Sequence, residues 1–137
     1  RTEGQASVLA FATDYARNFD GVMQTGRSAL LVGEPGTGKT HLAIGIALDV
    51  MTRGHTALFT TAMRALRRVK ETWGKSAQET ERSAIEALVF PDLLILDEVG
   101  VQFGSDTEKL ILFDVLNERY EQRKPTLLLS NLTAPEV

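Results

Sequence analysis

Two periodicities alternate along this chain, and the switches between them predict its elements. Val8, Ala12, Tyr15 and Phe19 recur at i, i+4, i+7 and i+11, with Leu9 and Ala16 alongside, which predicts a helix over residues 6–19 closed by Asn18-Phe19-Asp20-Gly21. After the turn Thr25-Gly26-Arg27-Ser28, the unbroken apolar run Ala29-Leu30-Leu31-Val32 predicts a strand covered on both faces. Leu42, Ile44, Ile46, Leu48, Val50 and Met51 go nearly all round a helix starting near Lys39, so that helix is expected to be deeply packed and capped by Gly54. Thr56–Thr60 reads as a second strand. The next helix carries Ala62, Leu66, Val69 and Trp73 on one face, assigning Trp73 to the core. Ser76-Ala77-Gln78-Glu79 forms a capping box for a further helix, with Ala84, Ile85, Leu88 and Val89 inward and Phe90-Pro91 as its stop. Leu93–Asp97 is a third strand. A second capping box, Ser105-Asp106-Thr107-Glu108, opens a helix to about Arg123, and Pro125 precedes a fourth strand, Thr126–Ser130. Strands alternating with helices of roughly 10–15 residues mean βαβ units, an α/β fold with a mainly parallel sheet between helical layers.

Composition narrows this picture without redirecting it. A length of 137 residues suits a single domain with a real core, and the absence of cysteine excludes disulfides and thiolate metal sites. The net charge of −3 excludes a uniformly basic nucleic-acid binder and leaves room for a local basic patch. Apolar runs stay far below the ~20 residues needed to span a bilayer, and the start shows no signal-peptide pattern. A soluble cytoplasmic domain is expected.

The chemistry is concentrated in Gly33-Glu34-Pro35-Gly36-Thr37-Gly38-Lys39-Thr40, followed by His41. This is the pattern G-x-x-x-x-G-K-[ST] between a predicted strand and a predicted helix, as its mechanism requires. Glycines let successive N–H groups turn inward around a phosphate, and the helix N-terminus adds its positive dipole end. Lys39 can then reach the β- and γ-phosphates of ATP or ADP, and the Thr40 hydroxyl can ligate Mg²⁺. At average residue usage a chance match is expected in about 0.5% of chains this long, and the strand and helix flanks lower that further. His41 reads as a polar or packing contact at the helix start, since His55 is the only other histidine and no metal spacing occurs.

Leu93-Leu94-Ile95-Leu96 runs directly into Asp97 and Glu98, so a buried strand delivers two carboxylates at its C-terminal end, where open α/β sheets build their sites. Asp97 suits a magnesium-holding role and Glu98 the orientation or deprotonation of an attacking water. The fourth strand ends in Ser130-Asn131, which would bring the Asn131 amide to a γ-phosphate or that water.

Gly33–Thr40, Leu93–Glu98 and Ser130-Asn131 resemble Walker A, Walker B and sensor 1 of the AAA+ ATPases. Leu94 to Gln102, Gly36 to Ala43 and Lys124-Pro125-Thr126 are similar to the bacterial DnaC-type helicase loaders, with the IstB transposition ATPases as the nearest competitors. The resemblance implies an ATPase core, residues 1–137, that helps place a replicative helicase on single-stranded DNA and self-associates in the full-length protein. It also implies truncation at both ends, without the N-terminal helicase-binding domain and without the C-terminal arginine-finger and sensor 2 segment, so turnover is expected to be very slow. AAA+ sheets usually run in the order 5-1-4-3-2, which would leave the Ala29–Val32 strand at an edge here. An IstB-like transposition ATPase and a nucleotide-dependent partner-binding switch with little hydrolysis are the alternatives, the intact Glu98 weighing against the switch. Arg64, Arg67, Arg68 and Lys75 cluster near Trp73, which reads either as a solvated face or as a track for single-stranded DNA.

Overall fold

The computed structural model describes residues 15, 19, 21, 26, 28–32, 38–100 and 105–130, with backbone alone at 29, 31 and 32. In chain order the elements are β1 (Ala29–Val32), α1 (Lys39–Thr52), β2 (Ala57–Thr61), α2 (Ala62–Glu71), α3 (Glu81–Val89), β3 (Leu93–Asp97), α4 (Asp106–Glu121) and β4 (Thr126–Ser130). The four strands form one sheet in the order β1-β4-β3-β2, every pairing parallel. Among the described residues β1 therefore lies at an edge, and β4 and β3 lie at the centre.

The unbroken apolar runs of β3 and β4 follow from burial on both faces. Successive strand side chains point to opposite sides of the sheet. Leu93, Ile95, Leu127 and Leu129 thus join Ala43, Ile46, Ala47 and Val50 of α1, together with Tyr15 and Phe19, in one core layer. Leu94 and Leu96 join Ala65 and Val69 of α2, Ala84, Ile85, Leu88 and Val89 of α3, and Val115 of α4 in the other. The result is the expected three-layer α/β sandwich, with α1 on one face and α2, α3 and α4 on the other.

Most of the helix over residues 6–19 lies outside the described residues, but Tyr15 and Phe19 are helical and fully buried. The start of β2 shifts by one residue, to Ala57. The all-round packing expected of α1 is corrected: Ile44, Leu48 and Met51 are exposed, because the sheet covers one side of the helix only. Gly54 does close α1, with φ of 93°, its N–H on the Met51 carbonyl and the His55 N–H on Val50. The same closure ends α4 at Glu121, two residues short of expectation, with Arg123 instead of glycine in the left-handed position (φ 57°).

Two further readings are overturned. The box Ser76–Glu79 does not open α3; Thr80 does, its hydroxyl accepting the Ser83 N–H at 3.0 Å, while Glu79 is taken by Arg68. Trp73 is not core: α2 stops at Glu71, the Thr72 and Trp73 N–H groups tighten onto Val69 and Lys70, and the indole is left 52% exposed. The Ser105 box stands, the Ser105 hydroxyl accepting the Glu108 N–H at 3.2 Å.

Candidate nucleotide site

The C-terminal ends of the parallel strands bring the first turn of α1 beside the end of β3. Gly38 caps α1 in a left-handed conformation (φ 85°) that a glycine adopts without strain, and its carbonyl accepts the Leu42 N–H at 3.0 Å. Lys39 follows, 5% exposed. The Thr40 hydroxyl donates to Asp97 Oδ2 at 3.1 Å, joining residues 57 apart in sequence. Asp97 Oδ1 accepts the Glu98 N–H at 2.8 Å, so both carboxylate oxygens are engaged. Glu98 is exposed and sits at φ 59°. Ser130, ending β4, is fully buried. His41 is exposed on α1. Gly33, Glu34, Pro35, Gly36, Thr37 and Asn131 lie outside the described residues.

A hydroxyl and a carboxylate, both hard oxygen donors, meet at a helix N-terminus next to a largely buried lysine. That donor set fits a Mg²⁺-bound polyphosphate: oxygens for the cation, a point charge and backbone N–H groups for the anion. No group of three or more His, Asp or Glu side chains suited to a metal occurs among the described residues, so the Thr40–Asp97 pair is the relevant one.

Away from this site Arg64, Arg67, Arg68 and Lys75 are all exposed, but they are not equivalent. Arg68 makes a two-pronged pair with Glu79, Nε to Oε2 at 2.8 Å and Nη2 to Oε1 at 3.2 Å. That contact raises the Arg68 pKa and holds the Glu79 carboxyl below its usual range. Lys75 lies beyond the end of α2. The Trp73 indole N–H donates to Glu81 at 2.6 Å.

One residue of consequence escaped the sequence reading. Arg119 is fully buried and donates to the carbonyls of Leu88, Val89, Pro91, Asp92 and Pro125 and to Thr126 Oγ1. Its signal was available: Arg119 falls at i+4 from Val115 and i+8 from Ile111, on the inward stripe of α4. Burial pushes its pKa down to about 10, so it remains a cation at neutral pH.

Sheet order and layering are those of the AAA+ P-loop fold, with Thr40 and Asp97 meeting at its candidate site. The fold superposes on the crystal structure of the DnaC helicase loader with a TM-score of 0.84 at 22% identity, covering 97% of this chain and 73% of that one. It matches AMPPCP-bound DnaA from Aquifex aeolicus with a TM-score of 0.80 at 23% identity, covering 96% and 40%. The chain belongs to the family of IstB-like ATP binding proteins, whose model matches residues 20–136. It is 35% identical over 135 residues to the replicative helicase loader DnaC of Escherichia coli K12, covering 98% of this chain and 54% of that protein. It is 34% identical over 110 residues to the insertion sequence IS21 protein of Pseudomonas aeruginosa, covering 80% and 39%. The chain thus spans about half the length, or less, of these curated relatives.

Proposed function

We propose that this chain is the ATP-hydrolysing core of a replicative-helicase loader, and that Gly33–Thr40, Asp97, Glu98 and Asn131 carry its chemistry. The observation that supports this most is the Thr40–Asp97 hydrogen bond beside the buried Lys39. Lys39 and the N–H groups at the start of α1 bind the β- and γ-phosphates. Gly33, Glu34, Pro35, Gly36, Thr37 and Gly38 wrap them, and His41 borders the same turn. Thr40 and Asp97 are the oxygen donors for Mg²⁺, which when bound would offset the charge of the phosphates. Glu98 orients the water and accepts its proton, and Asn131 holds that water or the terminal phosphate.

The loader reading is favoured over the transposition ATPase by extent of similarity, 98% of the chain against 80% at nearly equal identity. The helicase contact is assigned to a domain outside this chain, with self-association in the full-length protein and single-stranded DNA reaching Arg64, Arg67 and Lys75. No described helix is long and apolar enough to cross a membrane; cytoplasmic work on DNA belongs to the same proposal. Affinity purification of the full-length protein with ATP and Mg²⁺ tests this reading. Retention of a replicative helicase, lost in Lys39→Ala, is expected; retention of a transposase instead would favour the IstB-like alternative.

A further inference from the structure

The end of β3 contains an irregularity that neither phosphate binding nor metal binding requires. The β3–β4 ladder pairs Leu94 with Thr126, Ile95 with Leu127 and Leu96 with Leu128, and the Leu94 N–H donates to the Pro125 carbonyl at 3.3 Å. In a parallel ladder that alternation would carry the Leu96 N–H to Leu127 and the Glu98 N–H to Leu129. The Leu129 carbonyl is taken instead by the Val99 N–H at 2.9 Å, and the Glu98 N–H turns back to Asp97 Oδ1 at 2.8 Å. One extra residue, Glu98, is thus inserted immediately after the Asp97 carboxylate. It is a β-bulge, a device that re-aims a side chain at the end of a strand. Both residues flanking Val99 are left-handed, Glu98 at φ 59° and Gly100 at φ 88°. Glutamate bears a penalty in that region and glycine does not.

We propose that Gly100 is the positioning residue of the hydrolytic site. Its left-handed backbone closes the turn that keeps the Val99 N–H on the Leu129 carbonyl, and that bond fixes the bulge from which the Glu98 carboxylate projects. Leu129 is the residue before Ser130, so the same bond ties the direction of Glu98 to the tip of β4, the strand that leads to Asn131. A single main-chain hydrogen bond therefore sets the placement of the proposed water-activating acid relative to the Thr40–Asp97 pair. The inference rests on Glu98 having that role.

A Cβ at position 100 strains the turn, because the backbone there is left-handed at φ 88°. Gly100→Ala should bind ATP with affinity close to that of the parent, while single-turnover hydrolysis falls roughly 10- to 100-fold, the cost of displacing a reacting group by about 1 Å. Gly100→Asn, whose side chain tolerates left-handed backbone, should recover most of the rate. Amide hydrogen exchange should show the Val99 N–H less protected in Gly100→Ala and near parental protection in Gly100→Asn, whatever the rate of hydrolysis. In a Glu98→Gln background, Gly100→Ala should produce no further loss, because both changes act through one carboxylate. Unchanged Val99 exchange in Gly100→Ala, or equal rates for the Ala and Asn variants, overturns the positioning role. If Glu98→Gln alone leaves hydrolysis intact, the functional reading of Glu98 has failed instead.

Discussion

Arg119 donates through Nε to Thr126 Oγ1 at 2.9 Å, binding the inward face of α4 to the first residue of β4 with both side chains buried. The rest of the guanidinium spans the carbonyls that end α3 and lead into β3 and β4. These carbonyls lie where helix and strand ladders stop, and a buried carbonyl without a donor is costly. Arg119→Met should therefore lower unfolding free energy by about 3 kcal/mol or more, read as a lower midpoint in urea. Arg119→Lys should recover only part, since a compact ammonium has three donors and cannot span the same set of acceptors. Because burial depresses the guanidinium only to about 10, it is protonated in the folded and unfolded chains alike below that value. The loss should accordingly be constant across neutral pH, and a loss that varied between pH 6 and 8 would contradict this account.

Lys39→Ala should abolish tight binding of ATP and ADP. The substitution removes a point charge from the β- and γ-phosphates at the position where the helix N-terminus also points. Titration with a fluorescent nucleotide reads the effect directly. Parental affinity in the variant would remove the nucleotide site from residues 33–40.

How much of this was legible in sequence depended on whether the signal was local. The bounds of β3 and β4 could be read because burial on both faces leaves runs such as Leu93–Leu96 with no competing period. The orientation of α1 could not: apolar residues all round a helix do not reveal that the sheet covers one side, leaving Leu48 and Met51 in solvent. Trp73 continued the spacing of Leu66 and Val69 past the point where the backbone stops being helical, a limit set by main-chain bonds and not by pattern. The Ser76 box failed because Glu79 has a better partner in Arg68, a contact across 11 residues that no local rule contains. Motif spacing singled out Lys39, Thr40, Asp97 and Glu98 as candidates, and the structure joins Thr40 to Asp97 and the Glu98 N–H to the same carboxylate. The Thr40–Asp97 contact itself, and the bulge at Glu98, arise only when β3 and β4 are paired.

The chain alone should bind ATP and Mg²⁺ yet turn ATP over very slowly at any protein concentration. In P-loop enzymes an arginine finger is worth about 10³–10⁵ in rate. Of the two arginines just ahead of β4, Arg119 is fully committed to carbonyls at the start of β3 and β4, the opposite end of the strands from Asp97. Arg123 lies at that same far end, in the turn after α4. In the AAA+ proteins that the chain resembles, the finger follows the sensor 1 strand and acts from a neighbouring subunit. Extending the chain with the segment that follows the corresponding strand in the DnaC relatives should raise the rate and make it depend on protein concentration. Hydrolysis at several per second by this chain alone would show that a cation within it already serves the reaction.

Trp73 supplies the test of DNA binding, because it is the only tryptophan and stands half-exposed between basic residues. Base stacking on an exposed indole is worth about 1–3 kcal/mol per base and quenches its emission. If single-stranded DNA tracks Arg64, Arg67 and Lys75, adding an oligothymidine at low salt should quench Trp73 fluorescence, and added salt should reverse it. Each phosphate contact contributes roughly 0.7 to the slope of log affinity against log salt. Replacing Arg64, Arg67 and Lys75 together by Ala should then reduce that slope by about 2. Arg68→Ala alone should change it little, because Glu79 already occupies that guanidinium at 2.8 Å. The reverse should hold for Glu79→Gln: with its partner neutralised, Arg68 becomes available to a phosphate and affinity should rise. Emission indifferent to the oligonucleotide, together with a slope untouched by the triple substitution, would leave these side chains as the solvated face of α2 and the turn after it.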